Sequence, residues 1–271
     1  MKSQNPMKLT GIKSSDYHSE TASPTNLGGA VSKSMLWAFN QSPFKWRFGK
    51  KSAPSPAMQL GSLVHLLCFQ KDDFEETYAI SPFDSFRTKE SKEWREDMEN
   101  QGKIVITEDT YAHASDIADC IMNTDLLFHL GECDYETAVF VDYHGTKVKC
   151  MIDMAPKHGQ ILADLKTISS ITDVAGLQRL ILNRGYHLQA AMYLDLWNGV
   201  TGESRDQFQF LFIETVDPYE YAWVEISPNL LAKGREEYMN ALMRWIDCSS
   251  KNKWPKSIEG MQTIDLPAWY Q

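Results

Sequence analysis

The chain lacks an apolar run of eighteen residues, the length that a bilayer crossing needs, and its first thirty residues are rich in Ser, Thr, Asn, Pro and Gly rather than an apolar signal core. A cytoplasmic protein without membrane contact is therefore expected. The five cysteines, at 68, 120, 133, 150 and 248, are odd in number and never spaced C-x-x-C. That pattern excludes paired-cysteine zinc, iron–sulfur and redox motifs, and the thiols are expected to be reduced. Internal repeats and low-complexity tracts are absent, and no linker-like stretch marks a boundary. Residues 1–271 read as a single domain, with 1–30 largely irregular. What the chain does have is 271 residues and 43% hydrophobic content, enough for a substantial core.

Acidic residues are missing from one stretch. Between Val31 and Lys71 there are six basic residues and no Asp or Glu, leaving −15 for the rest of a chain whose formal total is −9. The total argues against a nucleic-acid partner, because phosphate binding is driven by cations; the distribution argues for one. Within the basic stretch, Phe44 to Lys51 interleaves aromatics with cations, as a surface gripping a nucleic-acid strand does. Lys33, Lys45, Arg47, Lys50 and Lys51 are the candidate DNA-binding residues, a solvated basic face being the plain alternative.

The chemistry concentrates around Ile161–Thr167. In an extended strand Asp164 and Lys166 point one way while Ile161, Ala163 and Leu165 point the other. Alone, such a pair is more often a mere ion pair than a site. Eleven residues upstream, however, Asp153 ends another alternating run that carries Val148, Cys150 and Ile152 on its apolar stripe, and Pro156–Gly159 supplies a turn. A hairpin would bring Asp153 and Asp164 together, a costly pair of like charges unless a cation lies between them. Carboxylates with a backbone carbonyl form a hard oxygen set suited to Mg²⁺, with Mn²⁺ able to substitute. Such a metal beside a lysine suits water activation next to a phosphodiester.

The remaining pattern places further candidates on elements. Ser32 caps a short helix carrying Met35, Leu36 and Phe39 and ended by Ser42-Pro43. A second helix runs from about Met58 to Phe69 and bears His65, one turn after Gly61. A histidine on an apolar helix is commonly a packed residue, but a glycine inside that helix costs about 1 kcal/mol and points to something passing close by. Residues 84–103 read as an exposed charged helix or excursion. Thr107 starts a helix extending to Leu130 and stopped by Gly131, and Glu136–Tyr143 alternates as a strand with Glu136, Ala138 and Phe140 on one face. Thr172-Asp173 caps a helix to Asn183. The next helix, Tyr186–Asn198, places Gln189 and Tyr193 on one face, with Tyr186 three residues before Gln189. Phe208–Glu214 and Glu220–Ile226 read as strands, and Ser227-Pro228 opens a long final helix.

The ordered series Gly61-x-x-x-His65, Glu136, Asp153, Asp164-x-Lys166 and Gln189-x-x-x-Tyr193 resembles the PD-(D/E)XK nucleases, in particular their RecB-like branch. Gly11–His18, Val31–Ser34 and Ser42-Pro43 look like the opening of the phage RecE-type exonuclease domain (exodeoxyribonuclease VIII), so the resemblance spans about residues 11 to 230. It implies an α/β fold with the restriction-endonuclease-like core, a central mixed β-sheet flanked by helices. It also implies a Mg²⁺-dependent 5′→3′ exonuclease on linear double-stranded DNA that leaves 3′ overhangs for recombination by strand annealing.

Carried onto this chain, the resemblance gives His65, Asp153, Asp164 and the Leu165 carbonyl as metal ligands, with Glu136 able to hold a second metal or water. Lys166 would orient or deprotonate the attacking water, and Gln189 and Tyr193 would position the lysine and the nucleic-acid backbone. A lysine beside a metal is expected to have a lowered pKa. By analogy alone, a homo-oligomeric ring of three or four subunits and a RecT-like single-strand annealing partner are expected. The sequence departs from the RecB-like pattern in Met151-Ile-Asp-Met154, which lacks the basic residue that often follows the acid, and the missing cysteine cluster argues against the iron–sulfur branches. A RecB-like single-strand exonuclease or endonuclease is the enzymatic alternative, and an inactive DNA-binding or assembly module is the alternative of another class.

Overall fold

The computed structural model describes residues 7–10, 14–19, 21–50 and 53–266. A six-stranded mixed sheet divides two helical layers. Its strands are β1 (Met7–Leu9), β4 (Cys133–Tyr143), β5 (Thr146–Pro156), β6 (Ile161–Ile168), β7 (Gln207–Glu214) and β8 (Tyr221–Glu225), and they stand in the order β1-β4-β5-β6-β7-β8. Only β6 and β7 run parallel; every other neighbouring pair is antiparallel. A parallel neighbour requires a crossover, and α8 (Val174–Arg184) with α9 (Tyr186–Thr201) supplies it.

On one side of the sheet lie α2 (Lys33–Gln41), α9 and α10 (Pro228–Lys251), sharing a core with Phe208, Phe210 and Phe212 of β7. On the other, α4 (Pro56–Phe69) and α7 (Glu108–Met122) pack with Leu211 and Ile213 from the same strand. The alternation of β7 therefore serves both cores. α9 is apolar around most of its circumference, as a helix enclosed by neighbours should be. It meets α10 at Gly234, where a Cβ would stand 2.1 Å from the His187 carbonyl oxygen, so only glycine allows that approach.

The remaining elements are peripheral: α1 (Ser14–Ser19), α3 (Pro43–Phe48), α5 (Phe74–Thr77), α6 (Lys89–Asn100), and the short parallel pair β2 (Tyr78–Ile80) and β3 (Ile104–Ile106). Helix starts follow local capping. Ser32, Thr107, Asp173 and Ser227 each accept a backbone N–H from the first turn of the helix they precede. Gly185 ends α8 in the left-handed conformation at φ 63°.

Three segments differ from the sequence pattern. The helix begun at Thr107 ends at Met122, and a 3₁₀ turn over Asp125–Leu130, capped by Thr124, returns Leu126 and Leu130 to the interior. Ser42-Pro43 ends α2 but also starts α3, with Ser42 as its cap, so the basic-aromatic stretch is largely helical. The N-terminal region is more ordered than its composition implies: Met7–Leu9 pairs with β4, and α1 seats Tyr17 in the interior. No helix among the described residues is long and apolar enough to cross a membrane.

Candidate metal and nucleic-acid site

The site forms where β4, β5 and β6 lie side by side under α4. Leu63, Val64, Leu66 and Leu67 bury one stripe of α4 and so fix its rotation. Gly61 lets the helix close on β6, since a Cβ there would approach the Thr167 hydroxyl to 2.9 Å. The neighbour that the glycine pointed to is thus the end of the strand carrying Asp164 and Lys166. At this separation His65 reaches the sheet. Its Nε2 lies 3.0 Å from the Leu165 carbonyl oxygen, while Nδ1 is 3.4 Å from Asp153 and 3.6 Å from Glu136.

Glu136 breaks the expected alternation. Its φ is 44°, a left-handed conformation that costs a non-glycine residue energy and is concentrated at functional sites. Before it, Cys133 and Tyr135 face the α4–α7 core; after it, Val139 and Val141 face the α9 core. The adjoining strand changes layer at the same level, with Val148, Cys150 and Ile152 in one core and Met154 in the other. The two acids sit at this crossing.

His65, Glu136 and Asp153 each offer a ligand atom, and these atoms lie within 4.8 Å of one another. Asp153 is buried, and its Oδ2 accepts the Leu165 N–H at 2.9 Å. Burial, with Asp164 next in strength, pushes its carboxyl upward. Burial alone would lower the His65 imidazole, but Asp153 and Glu136 outweigh it and raise it to about 9. The carboxyl oxygens of Glu136 and Asp153 and the imidazole between them form a donor set that fits a divalent cation, the oxygens favouring Mg²⁺ or Mn²⁺, while the Leu165 carbonyl meets the other ring nitrogen.

Asp164 stands beside this cluster rather than within it. One carboxyl oxygen forms an ion pair with Lys166, close but not aligned as a hydrogen bond, and the other accepts the side-chain amide of Gln189. Asp164 and Gln189 are both buried, which is why their polar atoms must pair with each other. Burial would lower the Lys166 ammonium, yet Asp164 and then Asp153 hold it above the ordinary lysine range. The protein's own charges therefore act opposite to the lowering expected beside a metal, which the cation itself has to supply.

Gln189 thus reaches the acid rather than the lysine. From α9 the ring of Tyr186 faces the ammonium, its centroid 5.4 Å from Lys166 Nζ. Its position three residues before Gln189 was the available sequence signal. Tyr193 is half-buried one turn farther along, edge-on to Phe208, its hydroxyl pKa raised by burial and then by Tyr17 and Asp164. From the N-terminal motif, Tyr17 covers the site's flank: its carbonyl oxygen accepts from the fully buried Lys149, whose ammonium lies 3.9 Å from the Tyr17 ring centroid. Gly11–Lys13 of that motif lie outside the described residues.

The expected DNA-binding residues separate. Lys33 is not on an exposed basic face but only 8% exposed: Val31 pairs with Val148 of β5, which draws the start of α2 onto the sheet. Its Nζ donates to the Arg184 carbonyl oxygen at the end of α8 (2.7 Å) and lies 4.9 Å from the Tyr186 ring centroid. Burial, reinforced by Lys166, lowers its pKa to about 7. Lys45 and Lys50 are exposed; Arg47 is half-buried, its guanidinium 5.9 Å from the Trp254 ring centroid. Lys51 lies outside the described residues.

A mixed sheet with a parallel β6–β7 pair, acids on adjoining strands and a D-x-K on β6 defines a PD-(D/E)XK-type α/β fold. The chain belongs to the family of the PDDEXK-like domain of unknown function (DUF3799), whose profile matches residues 32–267. Among solved structures, a candidate exonuclease from Eubacterium rectale is similar at TM-score 0.64 and 15% identity, covering 95% of this chain and 97% of that one. A phage-related exonuclease from Haemophilus somnus 129PT is matched at 15% identity over 82% of this chain and 96% of that one, with TM-score 0.37. No curated protein sequence matches the chain.

Proposed function

We propose that this protein is a metal-dependent nuclease, acting as a 5′→3′ exonuclease on linear double-stranded DNA and leaving 3′ overhangs for strand annealing. The observation that carries the nuclease reading is the convergence of His65, Glu136 and Asp153 within 4.8 Å beside the Asp164–Lys166 pair. The exonuclease description of the Eubacterium rectale protein agrees with it, and the RecE-like motif order supports the polarity and the duplex substrate.

His65, Glu136, Asp153 and the Leu165 carbonyl would hold the cation, with Asp164 adjoining. A bound Mg²⁺ or Mn²⁺ would neutralise charge on the phosphate oxygens and acidify a water. Lys166, paired with Asp164 and facing Tyr186, would orient that water or the phosphate. Gln189 keeps the Asp164 carboxylate in register, so the lysine is positioned through the acid. Hydrolysis forms a bond from the water oxygen to phosphorus and breaks the P–O3′ bond, the water losing a proton and O3′ gaining one.

The test is digestion of linear duplex DNA labelled at either the 5′ or the 3′ end, with Mg²⁺ or with EDTA, beside a closed circle and a linear single strand. Early release of the 5′ label as mononucleotide, only with Mg²⁺ and with the circle intact, is the expected result. Cutting of the circle, or activity confined to the single strand, would retain the metal site but discard the end-directed duplex reading.

A further inference from the structure

The chain's basic-aromatic helix does not stand alone. Residues 253–256, more than two hundred positions away, lie against α3: the Phe44 N–H donates to the Pro255 carbonyl oxygen at 3.2 Å, and the Trp46 and Trp254 rings stack at 5.5 Å. This brings Lys253 and Lys256 to the side of the molecule that carries Lys45 and Lys50, and all four are exposed. None of the four pairs with a carboxylate among the described residues, whereas Lys8, Lys89, Lys157, Lys233 and Lys251 each do. In a chain of net charge −9, such a cluster is an unmatched positive field.

Two rings accompany the cations. Phe44 and Phe48, one helical turn apart, meet at 5.0 Å between centroids, and Phe48 remains 59% exposed. Lys256 lies 5.2 Å from the Phe44 centroid and the Arg47 guanidinium 5.5 Å from that of Phe48. An exposed Phe48 backed by a half-buried Phe44 and edged by cations offers a flat apolar face and phosphate partners at once. A base and its backbone need that combination, and only an unpaired strand presents its bases for stacking. α2 links this surface to the site: nine residues, about 14 Å, separate its Lys33 end near Lys166 from its junction with α3.

We propose that the surface joining α3 to residues 253–256 binds single-stranded DNA, with Phe44 and Phe48 stacking a base and Lys45, Lys50, Lys253 and Lys256 meeting its phosphates. The proposal deepens the nuclease reading and rests on it: the surface grips a strand that the site has freed from its complement.

The test is fluorescence anisotropy of a labelled oligo(dT) and of a blunt DNA hairpin in EDTA, where binding is read without cleavage, over a salt series. Phe48→Ala is expected to weaken oligo(dT) binding about tenfold. Lys253→Gln/Lys256→Gln should lower the slope of log affinity against log salt by about 1.4, two phosphate contacts on a single strand. Both variants alter exposed side chains, and circular dichroism with thermal melting confirms their folding. Unchanged affinity and slope in either variant would overturn the proposal. So would an equal loss on the hairpin, or a changed oligomeric state in sedimentation with oligo(dT) binding intact, which would make the surface a contact between copies of the chain. Hydrolysis of a small nitrophenyl phosphodiester by the wild type with Mn²⁺, measured separately, judges the nuclease reading alone; its absence would overturn that reading while the anisotropy still decides what the surface binds.

Discussion

Lys33→Met gives the sharpest test of the reasoning about buried charge. In the folded protein the lysine's pKa falls from 10.5 to about 7 because burial, and then Lys166, disfavour the ammonium. In the unfolded chain it keeps its ordinary value. Between pH 7 and 10.5 the unfolded state therefore binds a proton that the folded state has released, and stability conferred at this position rises with pH across the window. Below pH 7 both states are protonated and the penalty is at its full size. A shift of that size corresponds to roughly 5 kcal/mol at about 1.4 kcal/mol per unit. Removing the ammonium should recover most of this, less about 1–3 kcal/mol for the lost hydrogen bond to the Arg184 carbonyl.

The variant should thus be more stable than wild type at pH 6, and its advantage should shrink by up to about 1.4 kcal/mol per pH unit from pH 7 upward, reversing at about pH 8.5–10. Urea unfolding followed by tryptophan fluorescence at pH 6, 7, 8 and 9 measures both curves, and the other titrating groups cancel in the difference. Parallel curves would refute the argument. They would mean that the helix-end carbonyl keeps Lys33 charged through the whole range.

Four further outcomes follow from the geometry. Gln189→Leu leaves a buried oxygen of Asp164 without its amide and should cost about 1–3 kcal/mol in denaturant unfolding, while lowering kcat more than it raises KM. His65→Ala should weaken Mn²⁺ binding at least tenfold by isothermal titration calorimetry, because one of three convergent side chains is lost; undiminished affinity would remove the histidine from the metal set. Lys166→Met should abolish DNA hydrolysis yet still bind Mn²⁺, since its ammonium contacts Asp164 rather than the cluster. Gly234→Ala should destabilise by about 1–3 kcal/mol or more, because its Cβ meets backbone, whereas Gly61→Ala meets only a hydroxyl side chain and gains helix propensity, so it should change stability by under about 1 kcal/mol.

What was legible in the sequence was local. Ser32, Thr107, Asp173 and Ser227 mark helix starts because a cap needs only its own first turn, and the β5–β6 pair was readable because its turn and both alternating runs are contiguous. The spacing that put Gln189 on one face of α9 was right, but spacing does not say what that face meets. It meets Asp164, and Tyr186 meets the lysine. Lys33 was read as a surface cation because charge is visible in sequence and burial is not; the pairing of Val31 with Val148 that buries it spans more than a hundred residues. The company that Lys253 and Lys256 keep with α3 was hidden for the same reason. Strict alternation predicted a regular strand at Glu136, and that rule fails where the backbone turns to φ 44°.

That turn matters beyond the two acids it aims. Elsewhere the sheet is a partition, its side chains alternating between the two cores. At Glu136 and Asp153 the partition has a doorway, with His65 arriving from the α4 layer and Asp164 held by Gln189 from the α9 layer. A cation seated among these groups would be held from both halves of the molecule, so the mutual alignment of the two layers would set its coordination. A repacking mutation deep in either layer is then a change in the candidate site.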